Sequence, residues 1–386
     1  MQKNHKLNLN KLKPSATVHL HSLSLALKQQ GEKVYSLAAG EPLMPIRSLN
    51  PKMAKVNFGY PPVLGLEELR KKASSWVNQN YECNYGFNET TVVPGAKMGI
   101  FLLLRAILKP GDQAAVIAPY WVSYPPMIEL CYGKPVILKT KPNNAWKISA
   151  NDIAKINSSK CKVLILNNAS NPCGTVYSKD ELALILSAAQ KRGLFVISDE
   201  VYSGLVYDKS KFYSCGLFRK YKKNLAVVQS CSKNFAMPGI RTGFVFAPRE
   251  IIRAINPINS QTTSGVSQLS QNAALQVLKK SGSITPKVNM EMKLRRNLMH
   301  DLLEKYWDKK IDKPKSALYF FLPVSDLTKK YRDDVLFCSD LLKKSRVIIV
   351  PGRAFGQKGY VRLSFGSDAT TIKNTMKLLA KFCGRI

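Results

Sequence analysis

The segment SCSKNFAMPGIRTGF, residues 230–244, places two basic residues between two apolar runs. The run NLAVVQ precedes the segment, and the run GFVFAP begins with its last two residues, Gly243 and Phe244. Both runs are typical of buried strands. Lys233 comes just after the first run, and Arg241 comes just before the second. A lysine in a solvated loop would explain Lys233 taken alone, so its role depends on the rest of the chain.

Apolar runs alternate with helical patterns on both sides of this segment. We predict seven strands in ETTVV, QAAVIA, KPVILKT, CKVLILN, LFVISD, NLAVVQ and GFVFAP, and expect KPVILKT to be buried like the others. SKDELALILSAAQKRG predicts a helix, with Ser178 and Glu181 as a capping box and Gly193 at its end. Continuous apolar strands separated by helices indicate an α/β fold with a mostly parallel sheet buried on both faces.

The pattern changes after about residue 250. SQNAALQVLKK and EMKLRRNLMHDLLEKYW predict long helices, and ALYFFLPV, SRVIIVPG and YVRLSFG predict short strands around a further helix. The sequence therefore predicts a large domain over residues 46–280 and a smaller α+β domain over residues 281–386. We expect residues 1–45 to join the smaller domain.

Composition narrows the functional classes. The chain has 386 residues, 45% of them hydrophobic, and no apolar run approaches the roughly 18 residues that span a bilayer. The eight cysteines form no CxxC pair, which predicts no metal site and indicates a reducing, cytoplasmic location. The net charge is +34, but its lysines are scattered without a nucleic-acid-binding motif. We expect no membrane partner and no specific nucleic-acid partner, although small anions would be attracted.

Polar residues interrupt the predicted strands at their carboxyl ends. In open α/β sheets, ligands bind beyond those ends, so these side chains should converge on one crevice. The set comprises Gly95, Ala96, Lys97, Tyr120, Trp121, Asn171, Asp199, Tyr202, Ser230 and Lys233.

A lysine and an aspartate in one crevice suit pyridoxal phosphate. A lysine amine forms Schiff bases with aldehydes, and an aspartate such as Asp199 can pair with a protonated ring nitrogen. The cofactor also needs a phosphate cradle. PGAK at the start of a predicted helix offers backbone N–H groups, and Ser230 and Arg241 could complete the cradle.

These motifs resemble the aspartate aminotransferase family of fold type I pyridoxal-phosphate enzymes. SCSKNFAMPGIRTGF is similar to the family's S-x-S-K-x-F-x-x-x-G-x-R-x-G segment, NNASNPCG to N-P-T-G, SDEVY to D-E-x-Y, and PGRAFGQKGYVRLSFG to its C-terminal block. LAAGEPLMP, GYPPVLGLEELR, APYWVSYPP and KPKSALYFF match further blocks. The likeness runs from about residue 11 to the C-terminus, and KPSATV resembles the bacterial aspartate/prephenate branch.

The resemblance implies a role for each matching residue toward the cofactor. Lys233 would hold pyridoxal 5′-phosphate as a Schiff base and then shuttle a proton, and Asp199 would keep the ring nitrogen protonated. Tyr202 and Asn171 would contact the phenolic oxygen. Trp121 would stack on the ring. Gly95, Ala96, Ser230 and Arg241 would bind the phosphate, Lys97 would lie beside it, and Tyr60 would reach it from the second subunit of a homodimer.

The resemblance also implies substrate contacts and a reaction. Arg362 would bind the α-carboxylate beside Gly40, Trp121 and Asn171, while Thr17 and Lys97 would contact a distal carboxylate. The implied activity is a ping-pong transfer of the amino group between aspartate or glutamate and a 2-oxo acid.

Alternatives remain at this point. The same scaffold could carry an aromatic or prephenate aminotransferase or a C–S β-lyase, and a basic nucleic-acid-binding protein on a relic fold is a distant possibility. Taken singly, Trp121 could be a core residue, Asp199 a helix cap and Arg362 a solvent-facing strand residue. Departures from the family pattern include Cys173, Ser316 and a 41–58 region about five residues shorter, judged against the resemblance alone.

Overall fold

The structure, a computed structural model, describes residues 14–44 and 59–386. The strands are β1 (Tyr35–Ser36), β2 (Thr90–Val93), β3 (Gln113–Ala118), β4 (Lys134–Lys139), β5 (Cys161–Asn167), β6 (Phe195–Asp199), β7 (Leu225–Ser230), β8 (Gly243–Phe246), β9 (Tyr319–Pro323), β10 (Val347–Ile348), β11 (Val350–Pro351) and β12 (Tyr360–Ser364). The helices are α1 (Ala16–Gln29), α2 (Glu67–Tyr81), α3 (Ala96–Ile107), α4 (Tyr124–Leu130), α5 (Ala150–Ala154), α6 (Lys179–Lys191), α7 (Cys231–Asn234), α8 (Arg249–Thr262), α9 (Gln268–Lys279), α10 (Ser281–Trp307), α11 (Val324–Leu327), α12 (Asp334–Ser345) and α13 (Ala369–Phe382).

Seven strands form the main sheet, in the order β2-β8-β7-β6-β5-β3-β4. The neighbours from β7 through β6, β5 and β3 to β4 are parallel, and β8 runs antiparallel to both β7 and β2. The predicted α/β fold with a mostly parallel sheet is confirmed. The expectation that KPVILKT is buried is wrong, because β4 is one of the two edge strands of this sheet and its residues are half-buried or exposed.

Side chains of the central strands alternate between two apolar cores. Val163 and Ile165 of β5 pack into the core beneath α3, α4 and α8, whereas Leu164 and Leu166 pack into the core that includes α2, α6 and α9. This alternation explains why the strands read as continuous apolar runs, since both faces of the sheet are covered by helices.

Local signals in the sequence act as expected at α6. The Ser178 hydroxyl accepts a hydrogen bond from the Glu181 backbone N–H at 3.2 Å, and the Glu181 carboxylate accepts one from the Ser178 N–H at 2.7 Å. Gly193 follows the helix with φ +64°, the left-handed conformation that glycine adopts without strain. The predicted capping box is therefore confirmed.

The remaining strands form two smaller sheets. β11, β12 and β9 make an antiparallel sheet, and β1 pairs in parallel with β10. The N-terminal segment thus packs with the last third of the chain, as the sequence predicted for the smaller α+β part. The division at residues 45 and 280 stays a prediction.

Candidate active site

A cavity of about 300 Å³ lies beyond the carboxyl ends of the main-sheet strands. Strands β5, β6 and β7 reach it through the residues at their ends, while α1, the segment after β1 and β12 close it from the other side. Twelve of the predicted site residues line it: Thr17, Gly40, Ala96, Lys97, Trp121, Asn171, Asp199, Tyr202, Ser230, Lys233, Arg241 and Arg362. We call Asn171, Asp199, Tyr202, Ser230 and Lys233 the floor of the cavity, and Thr17, His21, Glu41 and Lys97 its mouth.

Lys233 extends into the cavity from α7, directly after β7. Its Nζ donates a hydrogen bond to the Gly40 carbonyl oxygen at 2.6 Å. Burial lowers the pKa of Lys233 to about 8; the negative charge of Glu41 opposes this shift, and the positive charges of Arg362 and Arg241 add to it. An amine with such a pKa is partly neutral near physiological pH, which is the form that acts as a nucleophile or base.

Asp199 ends β6 and is only 3% exposed. Its Oδ2 accepts a hydrogen bond from the Tyr124 hydroxyl at 2.6 Å, while Oδ1 accepts only a long contact of 3.4 Å from the Val201 N–H. Burial raises the pKa of Asp199 to about 6 despite the hydrogen bond from Tyr124. The carboxylate therefore lacks a close cationic partner and keeps acceptor capacity at Oδ1.

Arg362, on β12, is 1% exposed and lies between the rings of Tyr319 and Phe355, with Cζ 4.2 and 4.9 Å from the ring centroids. Nη1 donates to the Asn171 Oδ1 at 3.1 Å, and Nη2 donates to the Ala38 carbonyl at 2.6 Å. Its Nε is buried and has no hydrogen-bond partner among residues 14–44 and 59–386. A buried donor of this kind is costly unless a ligand completes it, and a carboxylate is the ligand that suits a guanidinium.

The N-terminus of α3 borders the cavity at another side. Gly95 has φ +80°, and a Cβ there would lie 2.5 Å from Arg241 Nη2. A Cβ on Gly243 would lie 2.7 Å from the Ala96 backbone nitrogen. Gly95 itself does not line the cavity. The Arg241 side chain lies beside Gly95, and the Gly243 backbone lies beside the first N–H of α3, at the positive end of this helix. Ser230 also lines the cavity, and its hydroxyl donates a hydrogen bond to the Ser232 hydroxyl at 2.8 Å.

The mouth of the cavity is more open. Lys97 is exposed, and its Nζ lies 5.1 Å from the centroid of the Trp121 ring. Desolvation where the ammonium approaches the cavity, together with repulsion from Arg241, lowers the pKa of Lys97. Thr17 and His21 are one turn apart on α1 and face the same opening.

Tyr60 does not line the cavity of the single chain. It is 94% exposed and lines a separate hollow with residues 263–269. Its predicted contact from a second subunit is untested by one chain. Much of the 41–58 departure, residues 45–58, lies outside the described residues.

Four residues of the site were missed from the sequence: His21, Glu41, Tyr124 and Tyr319. The Tyr319 hydroxyl lies 2.7 Å from the Tyr202 hydroxyl and 3.5 Å from the Gly40 carbonyl oxygen. Tyr124 and Tyr319 fall inside the blocks APYWVSYPP and KPKSALYFF, so the resemblance offered a signal for both. His21, four positions after Thr17 on a helix, could have been found by its spacing.

The described residues contain neither a metal-binding cluster nor a membrane-spanning helix. In the part of the chain that the structure describes, no three His, Cys, Asp or Glu side chains are grouped so that they could hold a metal ion. Across residues 14–44 and 59–386, no helix is both long enough and apolar enough to cross a membrane.

Comparisons with known proteins agree on one group. The family model described as aminotransferase class I and II matches residues 32–379. A probable aspartate/prephenate aminotransferase of Aquifex aeolicus is 34% identical over 99% of each chain, and an aspartate aminotransferase of Thermotoga maritima is 31% identical over 95% of this chain and 96% of its own. The solved structure of Thermus thermophilus aspartate aminotransferase with maleate superposes with a TM-score of 0.91 at 29% identity, covering 99% of this chain and 100% of the other.

Proposed function

The chain belongs to the class I and II aminotransferase family, and from this premise we propose that it moves the amino group of aspartate or glutamate to a 2-oxo acid in two half-reactions. The names of the Aquifex and Thermotoga relatives support aspartate as a substrate. The observation that carries the proposal is one cavity lined by the half-buried Lys233 and by the buried Asp199 and Arg362. An amine, a carboxylate and a guanidinium are the groups that amino-group transfer requires.

The family implies pyridoxal phosphate, and the residues present fit it. Asp199 is a buried carboxylate with a free acceptor atom, which suits a protonated ring nitrogen. The Lys233 amine has a lowered pKa, which suits a covalent link to an aldehyde. Gly95 and Gly243 leave no room for a Cβ at the N-terminus of α3, which suits a backbone that must lie close to a phosphate.

Each predicted residue then has an assigned task. Lys233 would hold the cofactor covalently and Asp199 would hold its ring nitrogen. Tyr202 and Asn171 would bind the phenolic oxygen, and Trp121 would cover a ring face. The phosphate would be bound by Gly95, Ala96, Ser230 and Arg241, with Tyr60 of the partner subunit. Bound there, the cofactor supplies a pyridinium ring that withdraws electrons from the substrate's Cα.

Lys233 would move the proton, and Asp199 would keep the ring nitrogen protonated. With a pKa of about 8, roughly a tenth of the Lys233 amine is neutral at pH 7 and half at pH 8. The neutral Nζ would take the proton from the substrate's Cα and later deliver it to C4′ of the cofactor. Asp199 is an anion above about pH 6, so it can stabilise a cationic N–H at neutral pH.

The charges of the cavity favour a dicarboxylic substrate. Among the described lining residues, Lys97, Lys233, Arg241 and Arg362 are cationic, while Glu41 and Asp199 are acidic. Arg241 is assigned to the phosphate and Arg362, through its unpartnered Nε, to the α-carboxylate. Lys97 at the mouth is then the cation left for a second carboxylate, with Thr17 beside it.

We also propose a cytoplasmic homodimer. Tyr60 is nearly fully exposed in the single chain, and the hollow that it lines has a volume of about 360 Å³. A second copy that covers this hollow would bring Tyr60 toward a neighbouring cavity. Light scattering should give about twice the monomer mass of 43.1 kDa, and a Tyr60→Phe variant should bind the cofactor more weakly.

One experiment separates the proposed reaction from its alternatives. The purified protein is loaded with pyridoxal phosphate and mixed separately with aspartate, phenylalanine and cystathionine. We expect aspartate to bleach the visible band and to yield oxaloacetate when 2-oxoglutarate is added. Pyruvate and ammonia from cystathionine, without oxaloacetate from aspartate, would instead establish a lyase. The relatives' names do not favour that outcome.

A further inference from the structure

Tyr319 contacts both Tyr202, which is assigned to the cofactor, and Arg362, which is assigned to the substrate. It begins β9 and is 1% exposed. Its hydroxyl lies 2.7 Å from that of Tyr202, and its ring lies 4.2 Å from Cζ of Arg362. We infer that Tyr319 is a positioning residue that directs the Tyr202 proton toward the cofactor and holds the Arg362 guanidinium in one plane. This inference rests on the proposed function.

The Tyr319 hydroxyl has two acceptors within reach, the Tyr202 oxygen and the Gly40 carbonyl oxygen, and their distances favour one direction for its proton. The Gly40 carbonyl oxygen already accepts a hydrogen bond from Lys233 Nζ at 2.6 Å, and it lies at a marginal 3.5 Å from the Tyr319 hydroxyl. The Tyr202 oxygen, at 2.7 Å, is the better acceptor for Tyr319. When Tyr319 donates to that oxygen, the single proton of Tyr202 is free to be donated into the cavity.

The ring of Tyr319 acts separately from its hydroxyl. The Arg362 guanidinium is held at Nη1 by Asn171 and at Nη2 by Ala38, and the Tyr319 and Phe355 rings lie against it. A ring face attracts a desolvated cation, so the two rings help to hold the guanidinium in place. Removing the ring would therefore loosen the guanidinium, whereas removing only the hydroxyl would not.

Gly40 provides a geometric check on this placement. A Cβ at position 40 would lie 2.2 Å from the Tyr319 hydroxyl oxygen but 3.2 Å from Cζ, the next nearest atom. The glycine is thus required mainly by the Tyr319 hydroxyl. An alanine at position 40 should become tolerable once that hydroxyl is removed.

The first experiment compares Tyr319→Phe with Tyr319→Leu in the cofactor-loaded protein. For Tyr319→Phe we expect the pH midpoint of the visible cofactor band to rise by about 0.5–1 unit and kcat to fall about fivefold, the size of one lost hydrogen bond. KM for aspartate should change less than about twofold, since the ring remains. Tyr319→Leu should in addition raise KM about tenfold.

Tyr207→Phe is the matched control. Tyr207 is equally buried, and its hydroxyl donates to the Ala317 carbonyl at 2.6 Å outside the cavity. This variant should lose stability without moving the midpoint of the band. If Tyr319→Phe leaves the midpoint and kcat as in the unmodified protein, the role of Tyr319 is overturned. If the unmodified protein binds no cofactor, the proposed function is overturned as well.

The second experiment needs no cofactor. Thermal unfolding is measured for Gly40→Ala, Tyr319→Phe and the double variant. We expect Gly40→Ala to lower Tm, and Tyr319→Phe to recover at least half of that loss when the two are combined. Simple additivity of the two losses would show that the Tyr319 hydroxyl does not occupy the space beside Gly40, and would refute the inference on geometry alone.

Discussion

The floor and the mouth of the cavity are built differently. Asp199 and Tyr202 in the floor are each 3% exposed and have short hydrogen bonds, to Tyr124 and to Tyr319. In the mouth, His21 and Lys97 are exposed. A buried, hydrogen-bonded floor holds one ligand in one orientation. A mouth with an exposed lysine can accept ligands of several shapes. We therefore expect floor substitutions to abolish turnover and mouth substitutions to shift substrate preference.

Lys233→Ala should have the largest effect. Loss of the amine removes both the covalent attachment of the cofactor and the base at Cα, so turnover of aspartate should fall by about 10³-fold or more. The measurement is kcat for the aspartate half-reaction in stopped-flow absorbance. Lys191→Ala, at an exposed position on α6, serves as the control. Full turnover by Lys233→Ala would remove the distinction between floor and mouth.

Asp199→Asn should be nearly as damaging to catalysis but should stabilise the cofactor-free protein. Turnover should fall by about 10²-fold or more, because an amide cannot stabilise a cationic ring nitrogen. The folded-state pKa of Asp199 is about 6, above its ordinary 3.8. Between these pH values the folded state therefore binds more protons than the unfolded state. The free energy of unfolding falls as the pH rises through this window, because the buried Asp199 must ionise.

The stability effect has a definite pH dependence. The Asn variant avoids this cost, so it should unfold with about 1–3 kcal/mol more free energy at pH 7 and a smaller gain at pH 5. Urea unfolding of the cofactor-free proteins at the two pH values measures the difference. A gain that is larger at pH 5 than at pH 7 would contradict the burial that raises the pKa of Asp199.

Lys97→Gln tests the mouth. Loss of its charge should raise KM for aspartate by about tenfold, because the ammonium would no longer bind the distal carboxylate. KM for alanine, which has no distal carboxylate, should stay nearly the same. Steady-state kinetics with both amino acids gives the ratio. Equal increases for the two substrates would place Lys97 at the phosphate instead.

Thr17→Ala should have the smallest effect. The Thr17 hydroxyl lies 3.1 Å from that of Ser15, so part of its hydrogen-bonding capacity is already used. We expect KM for aspartate to rise about two- to fivefold and KM for alanine to stay unchanged. The same pair of assays suffices, and a loss of kcat comparable to that of Asp199→Asn would move Thr17 from the mouth to the floor.

The sequence predicted the floor better than the mouth. Lys233 and Asp199 stand at the ends of apolar strands, and strand ends meet at one edge of a parallel sheet whatever the loops do. Tyr319 was missed because it lies within the apolar run ALYFFLPV, where an aromatic residue is more often a core residue. Its contact with Gly40 arises only when β9 and the segment after β1 pack together, which local pattern does not encode.

KPVILKT forms the predicted strand β4, but the expectation that it is buried was wrong. The centre of β4 is as apolar as the central runs, but Pro135 and the lysines at both ends of the strand are typical of an edge strand, and the prediction gave them too little weight. Such signals indicate that a strand lies at an edge, whereas the order of the strands in the sheet follows from how the helices cross over.

The pairing of β1 with β10 bears on how the chain matures during synthesis. The strands of the main sheet, between residues 90 and 246, can pair while the ribosome is still making the last third. Tyr35 must wait for Val347, and the Ala38 carbonyl must wait for Arg362, which is 324 positions later. The guanidinium that would bind the substrate is therefore fixed among the last contacts to form, so a nascent chain should be unable to hold an amino acid until translation is complete.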